Sequence, residues 1–140
     1  MTRRSEGGYV AAELALGVGL LLFPVALLVL TLPTWSERQA TGRAIAREAA
    51  RVVAISGQCD EAVARETGAA MAANLGLRDG AVTVTLDCAP GMRLPRDGGV
   101  TARVTVGMPA VSIPGIVSVG AWNWTAQHTE PVDKYRSFDE

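Results

Sequence analysis

The sequence lacks the residue patterns that mark most enzymes and metal sites. It has one histidine, His128, and two cysteines, Cys59 and Cys88, which do not stand in a CxxC spacing. No GxSxG, HExxH or phosphate-binding glycine loop occurs, and no pair of acids stands in a recognisable catalytic context. We therefore predict no catalytic residue, no metal ligand and no cofactor, and we interpret His128 as an ordinary surface residue.

The chain also lacks an excess of either charge sign. Its 13 basic residues nearly balance its 14 acidic ones, and the basic residues are spread along the chain. Proteins that bind nucleic acids present a basic stripe or patch to the phosphate backbone. We therefore predict that this chain does not bind nucleic acid.

A long apolar run near the N-terminus is the main feature that the chain does have. Val10 to Leu32 contains one acid, Glu13, and no base. As a helix it would extend about 35 Å, enough to cross a hydrocarbon core of about 30 Å. The apolar side chains outweigh the cost of inserting Glu13, and membrane helices tolerate a proline such as Pro24. We predict a transmembrane helix over 9–33. A cleaved secretory signal has a shorter apolar core and a small-x-small site, which this sequence does not offer.

The charges that flank the run predict its orientation. Arg3 and Arg4 precede it, whereas the segment just after it is near neutral. The positive-inside rule then places the N-terminus in the cytoplasm and the rest of the chain outside the cytoplasmic membrane, with Trp35 as an interfacial anchor. In an oxidising compartment, Cys59 and Cys88 are expected to form a disulfide, worth about 3–4 kcal/mol for a loop of this length. The alternative is a pair of unpaired buried thiols.

The remainder of the chain predicts a small α+β domain. Residues 34–56 read as a juxtamembrane helix with Ser36 as its N-cap and Ser56-Gly57 at its end. If Pro33 and Gly42 only bend the chain, this segment and the span form one long helix. Its small and apolar contacts are expected from Ala40, Ala44, Ile45, Ala49, Val52 and Val53.

A second, short helix is predicted after Asp60, which would cap it. It runs from Glu61 to about Leu75 and is stopped by Gly76. Its packed face is predicted from residues spaced by four: Val63, Thr67, Met71 and Leu75.

Strands are predicted after this helix, because apolar residues now recur at every second position. Alternation over 82–86 and 100–106 predicts two half-buried strands, joined by a loop with a tight turn at Asp97-Gly98-Gly99. A change of phase near Ala121-Trp122 predicts either a bulge or the end of one strand and the start of another. We expect a small antiparallel sheet of three to four strands.

For each of two groups of side chains, the sequence leaves two roles open. Trp122 and Trp124 either form a binding face or pack against the domain's own helix. Arg43, Arg47 and Arg51 either form a solvated helix face or contact an acidic partner subunit.

The start of the chain resembles the class III signal of type IV pilins. A short basic leader ends at Gly8, and Tyr9-Val10-Ala11-Ala12-Glu13 opens the apolar helix. In that family a membrane peptidase cuts on the cytoplasmic side after a glycine, and the fifth residue of the mature chain is glutamate. The resemblance therefore implies cleavage between Gly8 and Tyr9, with Glu13 in the position of that glutamate.

The following stretch narrows the resemblance. With Ala-Arg-Glu-Ala-Ala-Arg at 46–51, and an ending similar to those of actinobacterial members, the chain resembles the TadE-like family of Tad (Flp, tight adherence) pilus systems. The family implies that Glu13 pairs with the free amine of Tyr9 on a neighbouring subunit. The alternative is that Glu13, one turn from the interface, extends to water.

The resemblance implies a structural function without enzymatic activity. We expect a TadE-like minor pilin or pseudopilin that serves the assembly of an adhesive pilus. Its partners would be the lipid bilayer, the prepilin peptidase, other pilin subunits and the Tad assembly machinery. The alternative is an unprocessed, single-pass envelope binding module with an extracytoplasmic α+β domain. The expected organisation is a leader 1–8, a span 9–33, a juxtamembrane helix 34–56, a domain 57–129 and a polar tail 130–140.

Overall fold

The structure, a computed structural model, describes residues 7–113, 117–119 and 122–135. The chain divides into two compact units, Met1–Thr34 and Trp35–Glu140. In chain order the elements are the helices α1 (Gly7–Ser56) and α2 (Glu61–Asn74) and the strands β1 (Val82–Leu86), β2 (Gly99–Gly107), β3 (Val111–Ile113), β4 (Val117–Val119) and β5 (Asn123–Pro131). The predicted α+β class is confirmed, with the long N-terminal helix, the short second helix and the antiparallel sheet.

Helix α1 continues through both of its prolines, Pro24 and Pro33. Each proline removes one backbone hydrogen bond, but the alanine, leucine, glutamate and arginine around them favour helix. Of the two arrangements predicted for this region, the single long helix is the one formed, and Ser36 is an interior residue, not an N-cap. The helix ends at Ser56 as predicted, because Gly57 adopts a φ of 74° and its N–H donates to the carbonyl of Val53 over 3.1 Å.

The C-terminal part of α1 supplies much of the core of the second unit. Its fully buried residues follow the helical period: Ile45, Ala46, Ala49, Ala50 and Val53. Ala40 and Ala44, which the sequence suggested as contacts, are exposed. The buried face of α1 therefore differs from the predicted one. Ala46 and Ala50 belong to it, because they lie on the same side of the helix as Ile45 and Val53.

Helix α2 begins as predicted and packs by a different face. The carboxylate of Asp60 accepts hydrogen bonds from the N–H groups of Ala62 and Val63 over 2.9 and 3.1 Å. The helix ends at Asn74, and Gly76 has a φ of 72°. Its buried residues are Ala64, Gly68 and Ala72. On the predicted face, Val63, Thr67 and Met71 are partly buried and Met71 packs against the core, whereas Leu75 is 53% exposed.

Strand β2 forms the centre of a three-stranded antiparallel sheet with the order β1-β2-β5. Val84 lies opposite Val104, and Val104 lies opposite Ala126. These residues and Val100, Ala102 and Val106 are buried on the inner face. The alternation predicted for β1 and β2 is therefore confirmed, and α1 and α2 cover this face.

Strands β3 and β4 form a separate hairpin between β2 and β5. The predicted change of phase corresponds to the end of β4 at Val119 and the start of β5 at Asn123. The predicted boundary of the tail at residue 130 is wrong, because β5 continues to Pro131. The next residue, Val132, is 3% exposed and donates its N–H to the carbonyl of Gly98 over 2.8 Å. Of the tail, residues 136–140 lie outside the described residues.

The two cysteines form the predicted disulfide. Cys59 and Cys88 are bonded, with their Cα atoms 6.1 Å apart, and Cys59 is 2% exposed. Two backbone hydrogen bonds of 2.8 Å join Cys59 to Gly91 and Met92 beside the bridge. The disulfide therefore ties the connection between the helices to the loop that follows β1, and the alternative of unpaired thiols is excluded.

Candidate functional site

The N-terminal half of α1 leaves its apolar side chains uncovered. Within this helix no residue of the most apolar 18-residue window is buried, and Leu20 and Leu30 are 75% and 72% exposed. Burying one such side chain is worth about 1.5–3 kcal/mol, so a helix of this kind requires an apolar surrounding that the described residues do not supply. A core helix of a soluble protein would be buried. This helix is long and apolar enough to span a membrane, as in a single-pass membrane protein.

Glu13 lies on this uncovered surface, four residues after Tyr9 and four residues before Gly17. In a helix, such residues lie above one another on one face. A groove runs along the helix beside Glu13, lined by Val10, Glu13, Leu14, Gly17, Val18, Leu21 and Leu22. A second groove borders Glu13 on the side of Tyr9 and Leu16. Glu13 and Gly17 belong to both grooves, so the carboxylate stands on the ridge between them.

Gly17 keeps the surface next to Glu13 open. A Cβ added at this glycine would meet no atom within 4 Å, so the space beside the backbone is free. Small residues at such positions allow a second helix to approach closely in an apolar medium. A neighbouring helix could therefore reach the carboxylate of Glu13 from this side.

The charge of Glu13 is not compensated by any of the residues that the structure describes: none of them forms an ion pair or a hydrogen bond with its carboxylate. An ionised carboxylate in a membrane helix is costly unless it meets a cation or reaches water. Glu13 is the seventh residue of α1, beyond the first turn, in which an acid interacts best with the helix dipole. The residues that the structure describes, 7–113, 117–119 and 122–135, therefore give this acid little electrostatic support.

The peptide bond expected to be cleaved lies at the very start of α1. The helix begins at Gly7, so Gly8 and Tyr9 belong to its first turn. A peptidase needs an extended backbone, and glycine costs about 1 kcal/mol relative to alanine in a helix. The consecutive glycines at 7 and 8 therefore make the unwinding of this turn inexpensive.

The other candidate residues lie in the second unit and serve its packing. Trp124 packs on α1 at Gly42, with the guanidinium of Arg43 5.3 Å from its ring centre. Trp122 contacts Trp35 edge to face at 6.2 Å between ring centres. Of the two roles considered for the tryptophans, packing against the domain's own helix is therefore the one found. No local pattern pointed to the partner of Trp122, because Trp35 lies 87 positions earlier in the chain.

The remaining polar candidates lie at the surface. Nε2 of His128 is 3.0 Å from Oε2 of Glu130, and both side chains are about one-third exposed. Arg43, Arg47 and Arg51 are exposed on α1. Arg38 is half-buried on the same helix, donates a hydrogen bond of 3.0 Å to the carbonyl of Gly107 and so joins α1 to the end of β2.

Comparisons with known proteins found no relative of this chain. No family model, no curated protein and no solved structure matches the chain. The expectation of a type IV pilin signal therefore rests on the sequence alone, on Gly8, Tyr9 and Glu13, and the narrower TadE-like resemblance rests on residues 46–51 and the end of the chain. Within the ranges that the structure describes, no group of three or more histidine, cysteine, aspartate or glutamate side chains could hold a metal ion.

Proposed function

We propose that the chain is a TadE-like minor pilin or pseudopilin of a Tad-type pilus system, with a structural and not a catalytic function. The leader 1–8 is removed by a prepilin peptidase, the N-terminus faces the cytoplasm and the α+β domain is extracytoplasmic. The protein is held in the cytoplasmic membrane until it joins or primes an adhesive pilus. The observation that carries the proposal is an acid, Glu13, in the fifth position counted from Tyr9 on an uncovered apolar helix. It forms no ion pair with any residue in the part of the chain that the structure describes.

Cleavage after Gly8 changes the electrostatics of Glu13 in its favour. It creates a free amine at Tyr9, one helical turn away, or about 6 Å of helix rise. It also moves the start of the helix to Tyr9, which brings Glu13 closer to the positive end of the helix dipole. A subunit that packs along the groove at Gly17 brings a second amine to the same carboxylate. The ion pair between Glu13 and the amine of a neighbour then sets the register of the helices.

The size of the exposed part favours a minor role. The major subunits of Tad systems resemble short chains that are almost purely helical, whereas this chain adds a disulfide-bonded α+β domain after the span. Such a domain suits a subunit of low copy number or a priming factor better than the repeating filament subunit.

The processing step is tested at the peptide bond that is expected to break. In cells with a prepilin peptidase, N-terminal sequencing of the mature chain should begin at Tyr9. Gly8→Val should leave the chain at its full length, because the peptidase requires a glycine before the cut, whereas Gly7→Val is the matched control and should be processed. A mature chain that still begins at Met1 in such cells would refute the processed-pilin proposal.

The assembly step is tested by removing the charge of Glu13 with little change of shape. Glu13→Gln should leave the amount of protein in the membrane fraction unchanged and reduce its incorporation into sheared filaments, because the amine of the neighbour loses its partner. Glu37→Gln, an exposed acid on the same helix outside the apolar run, is the control and should assemble normally. Equal incorporation of the two variants would count against the pairing.

The alternative function is an unprocessed envelope binding module, and the outer face of the sheet is the observation that favours it. This face carries a cross-strand row of threonines at 83, 105 and 125, with hydrogen-bonded hydroxyls in the pair Thr105 and Thr125 at 3.1 Å. A polar, accessible sheet face suits recognition of another envelope component. Genes for a secretion ATPase and a prepilin peptidase next to this one would favour the pilin, and a chain that begins at Met1 would favour the module.

A further inference from the structure

Strand β5 is a long strand at the edge of the three-stranded sheet. It has nine residues, Asn123–Pro131, and no strand among the described residues pairs with the side that faces away from β2. An open edge offers unpaired backbone groups to any extended chain, and proteins usually shorten, bend, charge or cover such edges. The other edge strand, β1, has only five residues. The edge of β5 is therefore the longer of the two to which another chain could add a strand.

The hydrogen bonds at the two ends of β5 identify the backbone groups that point away from β2. The N–H of Met108 donates to the carbonyl of Trp122 over 2.8 Å. The N–H of Val132 donates to the carbonyl of Gly98 over the same distance, and both pairs continue the register of β2 and β5. Bonded and non-bonded pairs alternate in an antiparallel ladder. The even-numbered residues of β5 therefore bond to β2, and the odd-numbered ones direct their backbone groups outward.

The outward backbone groups of β5 have no hydrogen-bond partner among the residues that the structure describes. The strand also has little of the usual protection of an edge. Its register with β2 is unbroken, it contains no lysine or arginine, and its single proline, Pro131, is the last residue. The other outward positions are Asn123, Thr125, Gln127 and Thr129, which are all exposed and uncharged. Two such edges can therefore approach each other without opposing like charges on this face.

Antiparallel pairing about Gln127 makes the edge complementary to a second copy of itself. Within one chain, the hydroxyl of Thr129 bonds to that of Thr101 over 2.8 Å, and the hydroxyl of Thr125 bonds to that of Thr105 over 3.1 Å. In the paired strands, Thr125 of one copy comes opposite Thr129 of the other. Each threonine row then continues from one sheet into the next, and threonine pairs across strands are favourable.

The inner face of the sheet accepts the same register. There, Trp124 comes opposite Glu130 of the second copy, and Ala126 comes opposite His128. The two Glu130 side chains stay six residues apart along the strands, or about 20 Å. Each of them keeps its own contact with His128, at 3.0 Å within one chain. Like charges therefore do not meet on this face either.

We propose that β5 is the interface between two copies of this chain, which pair antiparallel about Gln127 and join their sheets into one. The affinity comes from backbone hydrogen bonds, as in other sheets extended by an added strand, and the threonine pairs select the register. The proposal rests on the sheet alone, not on cleavage at Gly8 or on the pairing of Glu13. It therefore holds for a pilin and for an envelope module alike.

Cysteine cross-linking tests the centre of the interface. The purified full chain is reconstituted in phosphatidylcholine vesicles, where it meets only its own copies. Gln127→Cys should form a disulfide-linked dimer under mild oxidation, because the Cα atoms of opposed, bonded residues lie about 5.5 Å apart, within disulfide range. Thr83→Cys, exposed on the same face of the other edge strand, is the matched control and should stay monomeric. Equal yields would overturn the proposal, since copies that associate through their apolar helices alone would give that result.

Two further cysteines test the register. Thr125→Cys by itself should give little dimer, because position 125 lies four residues, or about 13 Å, along the strand from its own copy. An equal mixture of Thr125→Cys and Thr129→Cys should give dimer readily, because these two positions come opposite each other. If Thr125→Cys alone gives as much dimer as the mixture, the register about Gln127 is overturned.

A proline at position 127 tests the backbone hydrogen bonds of the interface. The N–H of Gln127 points away from β2, so its loss leaves the ladder within one chain complete, and edge strands tolerate proline. Gln127→Pro should weaken dimerisation in detergent micelles, measured by sedimentation equilibrium, roughly tenfold or more, because two symmetric bonds are lost. Gln127→Ala keeps the N–H and is the matched control.

Gln127→Lys disrupts the same contact in another way, because it opposes two like charges at the centre of the interface. An intact Cys59–Cys88 disulfide and an unchanged circular dichroism spectrum serve as the folding checks for all variants. The proposal is overturned if the parent chain is monomeric in the micelles. It is also overturned if the folded Gln127→Pro and Gln127→Lys variants dimerise as tightly as Gln127→Ala.

Discussion

The close contact between α2 and β1 depends on a glycine that has no side chain, and replacing that glycine should change the stability of the domain. A Cβ at Gly68 would lie 2.5 Å from Cγ2 of Val84 and 3.4 Å from Cγ2 of Ile45. Val84 is β-branched and 3% exposed, so its methyl group has little freedom to move away. Overpacking of this kind costs about 1–3 kcal/mol, while alanine in place of glycine favours the helix by about 1 kcal/mol. Gly68→Ala should therefore lower the free energy of unfolding by roughly 0–2 kcal/mol.

A second substitution separates the two contributions. Val84→Ala removes the methyl groups that the added Cβ at position 68 would meet, so Gly68→Ala in that background should raise the free energy of unfolding by up to about 1 kcal/mol. The difference between the two backgrounds is the coupling energy, expected at about 1–3 kcal/mol for residues in contact. Urea unfolding of the full chain in detergent micelles, followed by tryptophan fluorescence, measures all four proteins. An equal effect of Gly68→Ala in both backgrounds would refute the close approach of α2 and β1.

Two further predictions concern the Cys59–Cys88 disulfide and the cap of α2 at Asp60. Replacing Cys59 and Cys88 by serine should lower the free energy of unfolding by about 3–4 kcal/mol, because the unfolded chain regains the freedom of a loop of about 30 residues. Reduction of the parent chain should have the same effect in urea unfolding, and an unchanged midpoint would contradict the prediction. Asp60→Ala should cost about 0.5–2 kcal/mol through the loss of the helix cap. Asp79→Ala, at an exposed acid outside the helix, is the control, and equal midpoints for the two variants would show that the cap contributes nothing.

Features with a strong local pattern could be predicted from the sequence. The apolar run gives the span of α1, the period of two gives β1 and β2, and Asp60 followed by Glu61 gives the start of α2. In each case short-range chemistry alone determines the element: hydropathy, alternation between two faces, or a carboxylate that accepts from backbone N–H groups.

Features that depend on tertiary contacts could not be predicted from the sequence. A serine followed by an acid after Pro33 looks like a helix start, yet Ser36 is an interior residue because α1 continues from the apolar run through Pro33. The packed face of α2 was missed because hydrophobicity does not reveal that Gly68 fits against Val84. The end of β5 was missed because its positions near the end, such as Glu130, are polar, and its pairing with β2 supplies the order that the pattern lacks.

For the candidate site, too, the sequence predicts the residue but not the group that it would contact. Its position could be derived from the sequence, since a lone acid in an apolar helix is conspicuous, and the structure adds the open surface at Gly17 that leaves room for a neighbour. The partner that we propose for Glu13 lies in neither, because a free amine at Tyr9 would exist only after the proposed cleavage and a neighbour's amine only after the proposed assembly. Under the proposed function, removal of the leader therefore supplies an amine to Glu13, which pairs with none of the residues that the structure describes. Lipid offers this carboxylate no cation, whereas a bundle of processed helices offers it the amine of a neighbour.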